Sequence, residues 1–178
     1  MEAALPNLAA VVEGVAADGL RARRADGTIT WAAAETFDSS ALSTAVYLLD
    51  TNIVSELRKP RPNPKVVAWL QDVEDSDLHL SAVTIGEIQA GIEVTRTQDP
   101  VKAEELESWA DQVADSYNVL AMEAVCFRRW AKLMHRQSST VYEDGMIAAT
   151  ALVHHLTVVT RNVRDFSRFD VRVLNPFE

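Results

Sequence analysis

Short runs of aliphatic and β-branched residues alternate along the chain with longer stretches in which apolar side chains recur at helical spacing. The short runs are "VYLLD" from Val46, "LHLSA" from Leu78, "YNVLA" from Tyr117, "LTVVT" from Leu156 and "VRVL" from Val171. Each predicts a strand, and their alternation with helical segments is the pattern of βα units around a mostly parallel central sheet flanked by helices. Between the first two strands the pattern predicts a short helix, "IVSELRK", and a second one that Asn63 caps and Pro64 opens. Val66, Val67, Leu70 and Val73 form the buried stripe of that second helix. Asp99-Pro100 repeats the start signal ahead of "VKAEELESWADQVADSY", where Leu106, Trp109 and Val113 share a face. "EAVCFRRWAKLMHRQ" groups Cys126, Trp130, Leu133 and Met134, and the alanine-rich "DGMIAATALVHH" predicts a closely packed helix.

Residues 1–45 stand outside this rhythm. They are rich in alanine, carry Gly14, Gly19 and Gly27, and "ADGTITW" reads as a turn into a short strand. "FDSSALSTA" has the composition of a linker. The chain therefore divides into an N-terminal extension, 1–45, and one globular domain, 46–178, a size that supports a core of its own.

Charge sharpens the picture. The net charge is −9; three arginines against six acids place −3 of it in residues 1–45 and leave −6 for the rest. Such a chain does not attract polyanions or anionic lipid indiscriminately, so a nucleic-acid substrate needs a local source of positive charge. The single cysteine, Cys126, excludes a disulfide framework and a cysteine metal site, and fits a reducing cytoplasm. No run reaches the roughly 18 apolar residues of a membrane span. Glu2 and Glu13 stand where an export signal carries positive charge.

Candidate chemistry gathers beyond the carboxyl ends of the strands, where loops and helix starts of an open α/β sheet converge. Asp50 ends the first strand, Glu87 lies early in the helix after the second, Asp144 opens the helix leading to the fourth, and Asn162 and Asp165 follow the fourth. Each acid has a structural alternative. Asp50 and Asp144 are both residues that cap helices, Thr84-x-x-Glu87 has the form of a capping box, and Asp165 suits a turn. Taken together, four distant segments aim carboxylates at one edge, which is costly unless a cation joins them. Oxygen donors without a spaced histidine pair suit Mg²⁺ or Mn²⁺ rather than zinc. His154 and His155 read as a solvated helix end and His79 as a core or edge residue. Arg58, Lys59 and Arg61 after the first strand, and Arg161, Arg164 and Arg168 after the fourth, can frame a phosphate backbone. No glycine-rich phosphate loop and no nucleophile elbow is present.

In order, "LLDTNIVSEL", "LSAVTIGEIQAGI", "DGMIAATA", "LTVVTRNVRDF" and "VRVLNPF" resemble the motifs of PIN-domain ribonuclease toxins of the VapC/FitB type. The resemblance spans Val46 to Phe177. It implies a PIN fold, a cytoplasmic homodimer, Mg²⁺- or Mn²⁺-dependent cleavage of RNA, and inhibition by a cognate antitoxin through which operator DNA is bound. By position, Asp50, Glu87 and Asp144 are similar to the family's first three metal-site acids. Many PIN domains have an acid where this chain has Asn162, which leaves Asp165 or Asn162 to complete the site. Thr51, Asn52 and Thr160 would support the ligands, and Arg58, Arg161 and Arg164 would touch RNA. The family commonly begins near the first strand, so residues 1–45 are a fused antitoxin-like segment presenting Arg21, Arg23 and Arg24 to the acids, an unrelated extension, or a start-site artefact. The rival functional class is a catalytically silent or self-inhibited interaction module in an antitoxin complex on operator DNA.

Overall fold

A computed structural model describes residues 45–178. The expectations for the N-terminal segment, including its strand and the placement of Arg21, Arg23 and Arg24, lie outside the described residues.

All five expected strands are present: β1 (Tyr47–Leu49), β2 (Leu78–Ser81), β3 (Asn118–Leu120), β4 (Thr157–Val159) and β5 (Val173–Leu174). They form one parallel sheet in the order β3-β2-β1-β4-β5. Seven α-helices among the described residues accompany it: α1 (Thr51–Leu57), α2 (Pro64–Asp72), α3 (Ala82–Arg96), α4 (Pro100–Ser116), α5 (Ala124–Leu133), α6 (Tyr142–His154) and α7 (Val163–Phe166). The chain runs outward from β1 through β2 to β3, then returns to the other side of β1 for β4 and β5. The order thus reverses between β1 and β4, and the crevice at such a reversal is where α/β sheets place their chemistry.

Period-two alternation within β1 explains the layers. Tyr47 and Leu49 join the core built with α1 to α4, whereas Leu48 joins the core formed with α6, Phe166 and Phe169. Both faces are covered, so a strand of three consecutive apolar residues is wholly buried, as parallel sheets require. Leu48 is fully inaccessible, and burial of such a side chain contributes roughly 2 kcal/mol.

Local signals act as expected at several helix starts. The Asn63 carboxamide oxygen accepts from the Lys65 N–H at 2.9 Å with Pro64 in the first turn, and the Asp99 carboxylate accepts from the Lys102 N–H at 3.0 Å. Trp109 and Val67 are only half-buried, at the margin of their stripes, and Val73, expected in the stripe of α2, is half-buried just past its last residue. Helix α6 packs closely: a Cβ on Gly145 would lie 2.7 Å from Met134 Sδ and 3.3 Å from Trp130 Cδ1, so the bare backbone lets α5 approach. His155 ends α6 in the left-handed region at φ 59°, and both His154 and His155 are exposed. His79 is half-buried on β2, an interior strand.

Candidate metal centre

The site begins with the end of β1. Asp50 is only 5% exposed, its backbone N–H still in the sheet through Val159 O at 3.0 Å. One carboxylate oxygen caps α1 by accepting from the Thr51 N–H at 2.8 Å. The other accepts from Thr160 Oγ1 at 2.6 Å and from Asn52 Nδ2 at 2.5 Å. The capping role and a second role are therefore not exclusive, because the two oxygens serve different partners. Thr160, wholly buried at the end of β4, also accepts from Asn52 Nδ2 and from the Asn162 N–H, each at 2.9 Å. Asn52 Oδ1 completes the mesh by accepting from the Arg161 N–H at 3.1 Å. The crevice between β1 and β4 is thus lined by a rigid polar network around one carboxylate.

Glu87 reaches this network from α3. Its carboxylate accepts from Thr51 Oγ1 at 2.5 Å. The capping box offered as its alternative is not formed: Ser81 caps α3 by accepting from the Val83 N–H at 3.2 Å, and Thr84 Oγ1 donates to Leu49 O at 3.5 Å. Asp144 is likewise no cap, since Val141 holds that position and Asp144 sits inside the first turn of α6. Asp165, in α7, accepts from Asn162 Nδ2 at 2.6 Å and pairs with Arg168 at 3.2 Å.

Electrostatics shows which acids face one another. Burial pushes the Asp144 carboxyl up to about 6, with further repulsion from Asp50, Asp165 and Glu143 and partial relief from Arg168. Burial also raises Glu87, opposed by the bond from Thr51 and reinforced by Asp50, Asp144 and Glu143. Burial lifts Asp50 above its ordinary value despite the bonds from Thr160, Thr51 and Asn52. Asp50 therefore acts on both Glu87 and Asp144, and Asp165 on Asp144, at the carboxyl edge of the sheet, and Asp50, Glu87 and Asp144 each resist ionisation. A cation reverses that penalty.

Among the described residues, no three His, Cys, Asp or Glu side chains are gathered closely enough to ligate one metal ion by themselves. The oxygen-only donor set, with hydroxyl and carboxamide groups holding the acids, fits a hard divalent cation that keeps several waters and takes one or two carboxylates directly.

Sequence reasoning overlooked Glu143 and Glu56. Glu143 repels both Glu87 and Asp144, and its adjacency to Asp144 at a helix start is the signal. Glu56 is 4% exposed; it accepts from the Asn63 N–H at 2.9 Å and pairs with Lys59 Nζ at 2.5 Å. Its i, i+3 spacing from Ile53 places it in the apolar stripe of α1. Among the expected phosphate framers, Arg58 lies over the Trp109 ring at 5.7 Å and Arg161 over the Phe177 ring at 5.3 Å, while Arg164 is exposed and has no ion pair among the described residues.

Residues 47–172 match the PIN domain family. Toxin FitB of Neisseria gonorrhoeae is 36% identical over 137 residues, covering 73% of this chain and 97% of that protein. VapC ribonuclease Y4jK of Sinorhizobium fredii is 32% identical over 142 residues, covering 74% and 97%. The crystal structure of FitAcB from Neisseria gonorrhoeae superposes with a TM-score of 0.66 at 33% identity, over 75% of this chain and 99% of that one. The structure of FitAB bound to an IR36 DNA fragment gives 0.64 at 32%, over 75% and 96%. A family match across most of the described residues, on a five-stranded parallel sheet with acids at its carboxyl edge, means that the chain belongs to the PIN domain family.

Proposed function

We propose that this protein is a Mg²⁺- or Mn²⁺-dependent endoribonuclease, the toxin of a toxin-antitoxin pair, with residues 46–178 as its nuclease unit. The observation that carries the reading is the convergence of acids at the switch point of the sheet, where the buried Asp50 repels the carboxylates of both Glu87 and Asp144 and is itself held by Thr51, Asn52 and Thr160. One or two of Asp50, Glu87 and Asp144 would hold the ion directly, and the remaining acid would act on it through its waters. When bound, it generates a nucleophile from water at neutral pH and offsets the negative charge of the phosphodiester.

The chain's own residues supply position. Thr160 and Asn52 fix the inner oxygen of Asp50, and Thr51 fixes Glu87, so both acids keep their direction before anything binds. Asp165, oriented by Asn162, is the fourth acid. The relatives named toxin and VapC ribonuclease support this reaction, and the similar chain in FitAB bound to DNA supports an antitoxin partner that brings operator DNA.

Incubating the purified full chain with RNA tests the proposal. Cleavage is expected with Mg²⁺ or Mn²⁺, none with EDTA, and a loss of at least about 100-fold in Asp50→Asn, since disturbing even the outer groups of a metal site costs about 10–100-fold. Cleavage that survives chelation overturns the metal reading.

A further inference from the structure

The cations of this acidic chain are unevenly engaged. Lys59, Arg96, Lys102 and Arg168 sit in ion pairs, Arg58 and Arg161 lie over aromatic rings, and Arg172 donates to His155 O. Four of the cations left without such a partner among the described residues, Arg128, Arg129, Lys132 and Arg136, fall in α5 and the turn after it, and no acid occurs between Glu123 and Glu143. A net charge of −9 makes this an isolated basic island.

Aromatic rings border the island and connect it to the acids. Phe127 is 46% exposed and Tyr142 42%, unusual for large apolar side chains on a helix surface. Trp130 stands between them, edge-on to Phe127 at 6.3 Å and to Tyr142 at 5.6 Å, and its indole N–H donates to Tyr142 O at 3.2 Å. Tyr142 opens α6 directly before Glu143 and Asp144. On the solvent side of α5, Arg128 and Lys132 lie one turn apart with the exposed Phe127 next to Arg128, and these two cations line a shallow groove between α5 and Val153.

We infer that the outer face of α5, with Tyr142, is an extended binding track for single-stranded RNA, continuing from the acid site past Tyr142 and Phe127 to Arg128 and Lys132. The inference rests on the ribonuclease reading above. Exposed rings interleaved with unpaired cations and no acids are the chemistry that holds a single strand, through base stacking and phosphate contacts. Like charge disfavours self-pairing of this face, and its aromatic content exceeds what a merely solvated helix needs.

The test compares the full chain with Arg128→Gln/Lys132→Gln and with Phe127→Ala; glutamine preserves helix propensity on an exposed face. The readouts are cleavage kinetics on a labelled single-stranded RNA with Mn²⁺, and binding of that RNA in Ca²⁺ as a function of salt. The double variant is expected to raise KM about tenfold with kcat within about twofold, and to flatten the slope of log affinity against log salt by about 1.4, two phosphate contacts at about 0.7 each. Phe127→Ala is expected to weaken binding about fivefold or more with the salt slope unchanged. Unchanged KM and slope while RNA is still cleaved would overturn the track and leave the nuclease reading standing. Absence of any RNA cleavage by the unmodified chain would remove the nuclease reading first. A change of oligomeric state in the variants by light scattering would assign the face to contact between copies and overturn the track.

Discussion

Replacing Asp144 with asparagine is expected to stabilise the metal-free protein at neutral pH while disabling the site. Burial and the neighbouring carboxylates lift this acid from 3.8 to about 6. At about 1.4 kcal/mol per unit, a rise of roughly 2 units is about 3 kcal/mol against the ionised form. Asp144 is only half-buried, so solvent screening reduces the usable part to about 1–1.5 kcal/mol. The sign follows from proton binding: the folded state holds the proton more tightly than the unfolded chain. Stability of the wild type therefore declines as pH rises from about 4 through about 6 and levels off above. The carboxamide of the variant never ionises and escapes that decline. For a domain of this size the gain corresponds to a melting point about 3–5 °C higher at about pH 7.5 in EDTA, shrinking toward zero at about pH 4. Divalent metal at about 100 times its dissociation constant would stabilise the wild type by about 2.7 kcal/mol and the variant by less, closing or inverting the gap. The measurement is thermal unfolding followed by circular dichroism across pH, with and without Mn²⁺. An Asp144→Asn protein that melts at or below wild type at neutral pH in EDTA, or a difference that persists in acid, refutes the reasoning.

Other perturbations separate the support groups from the acids. Thr160→Val removes a buried hydroxyl that bonds Asp50, Asn52 and the Asn162 N–H, and is expected to cost about 1–3 kcal/mol in urea unfolding. It should also weaken Mn²⁺ binding by about 10–100-fold in calorimetry. Glu56→Ala leaves the Asn63 N–H without its acceptor and Lys59 without its partner, for an expected loss of about 2 kcal/mol in the same unfolding assay. Burial opposes ionisation of Glu56, yet Lys59, the Asn63 N–H and Arg161 hold its carboxyl below the usual range, so its contribution is present at neutral pH and disappears as pH falls below about 4.

The chain's local patterns determined a great deal by themselves. Five apolar runs became five strands, Asn63-Pro64 and Asp99-Pro100 became helix starts, and the alanine-rich helix α6 packs closely through Gly145. Periodicity and capping act over a few residues, so their energies are readable without knowing the fold. The strand ends also pointed to the edge at which Asp50 acts on Glu87 and Asp144, because the carboxyl edge of a parallel sheet is a property of the topology class. Only the tertiary structure decided which of two local options won. Thr84 and Glu87 have the spacing of a capping box, yet each finds a partner near β1, at sequence separations of 35 and 36 residues, while Ser81 takes the cap. Thr160 meets Asp50 across 110 residues because β4 pairs with β1, and nothing local distinguishes that threonine from a solvated one. Glu56 drew no reading from the sequence and Arg161 only one as a phosphate contact, yet the first is sealed in the stripe of α1 and the second, while exposed, lies over Phe177. Such contacts depend on strand order and on which helix covers which face, energies that arise between segments and are absent from any one of them.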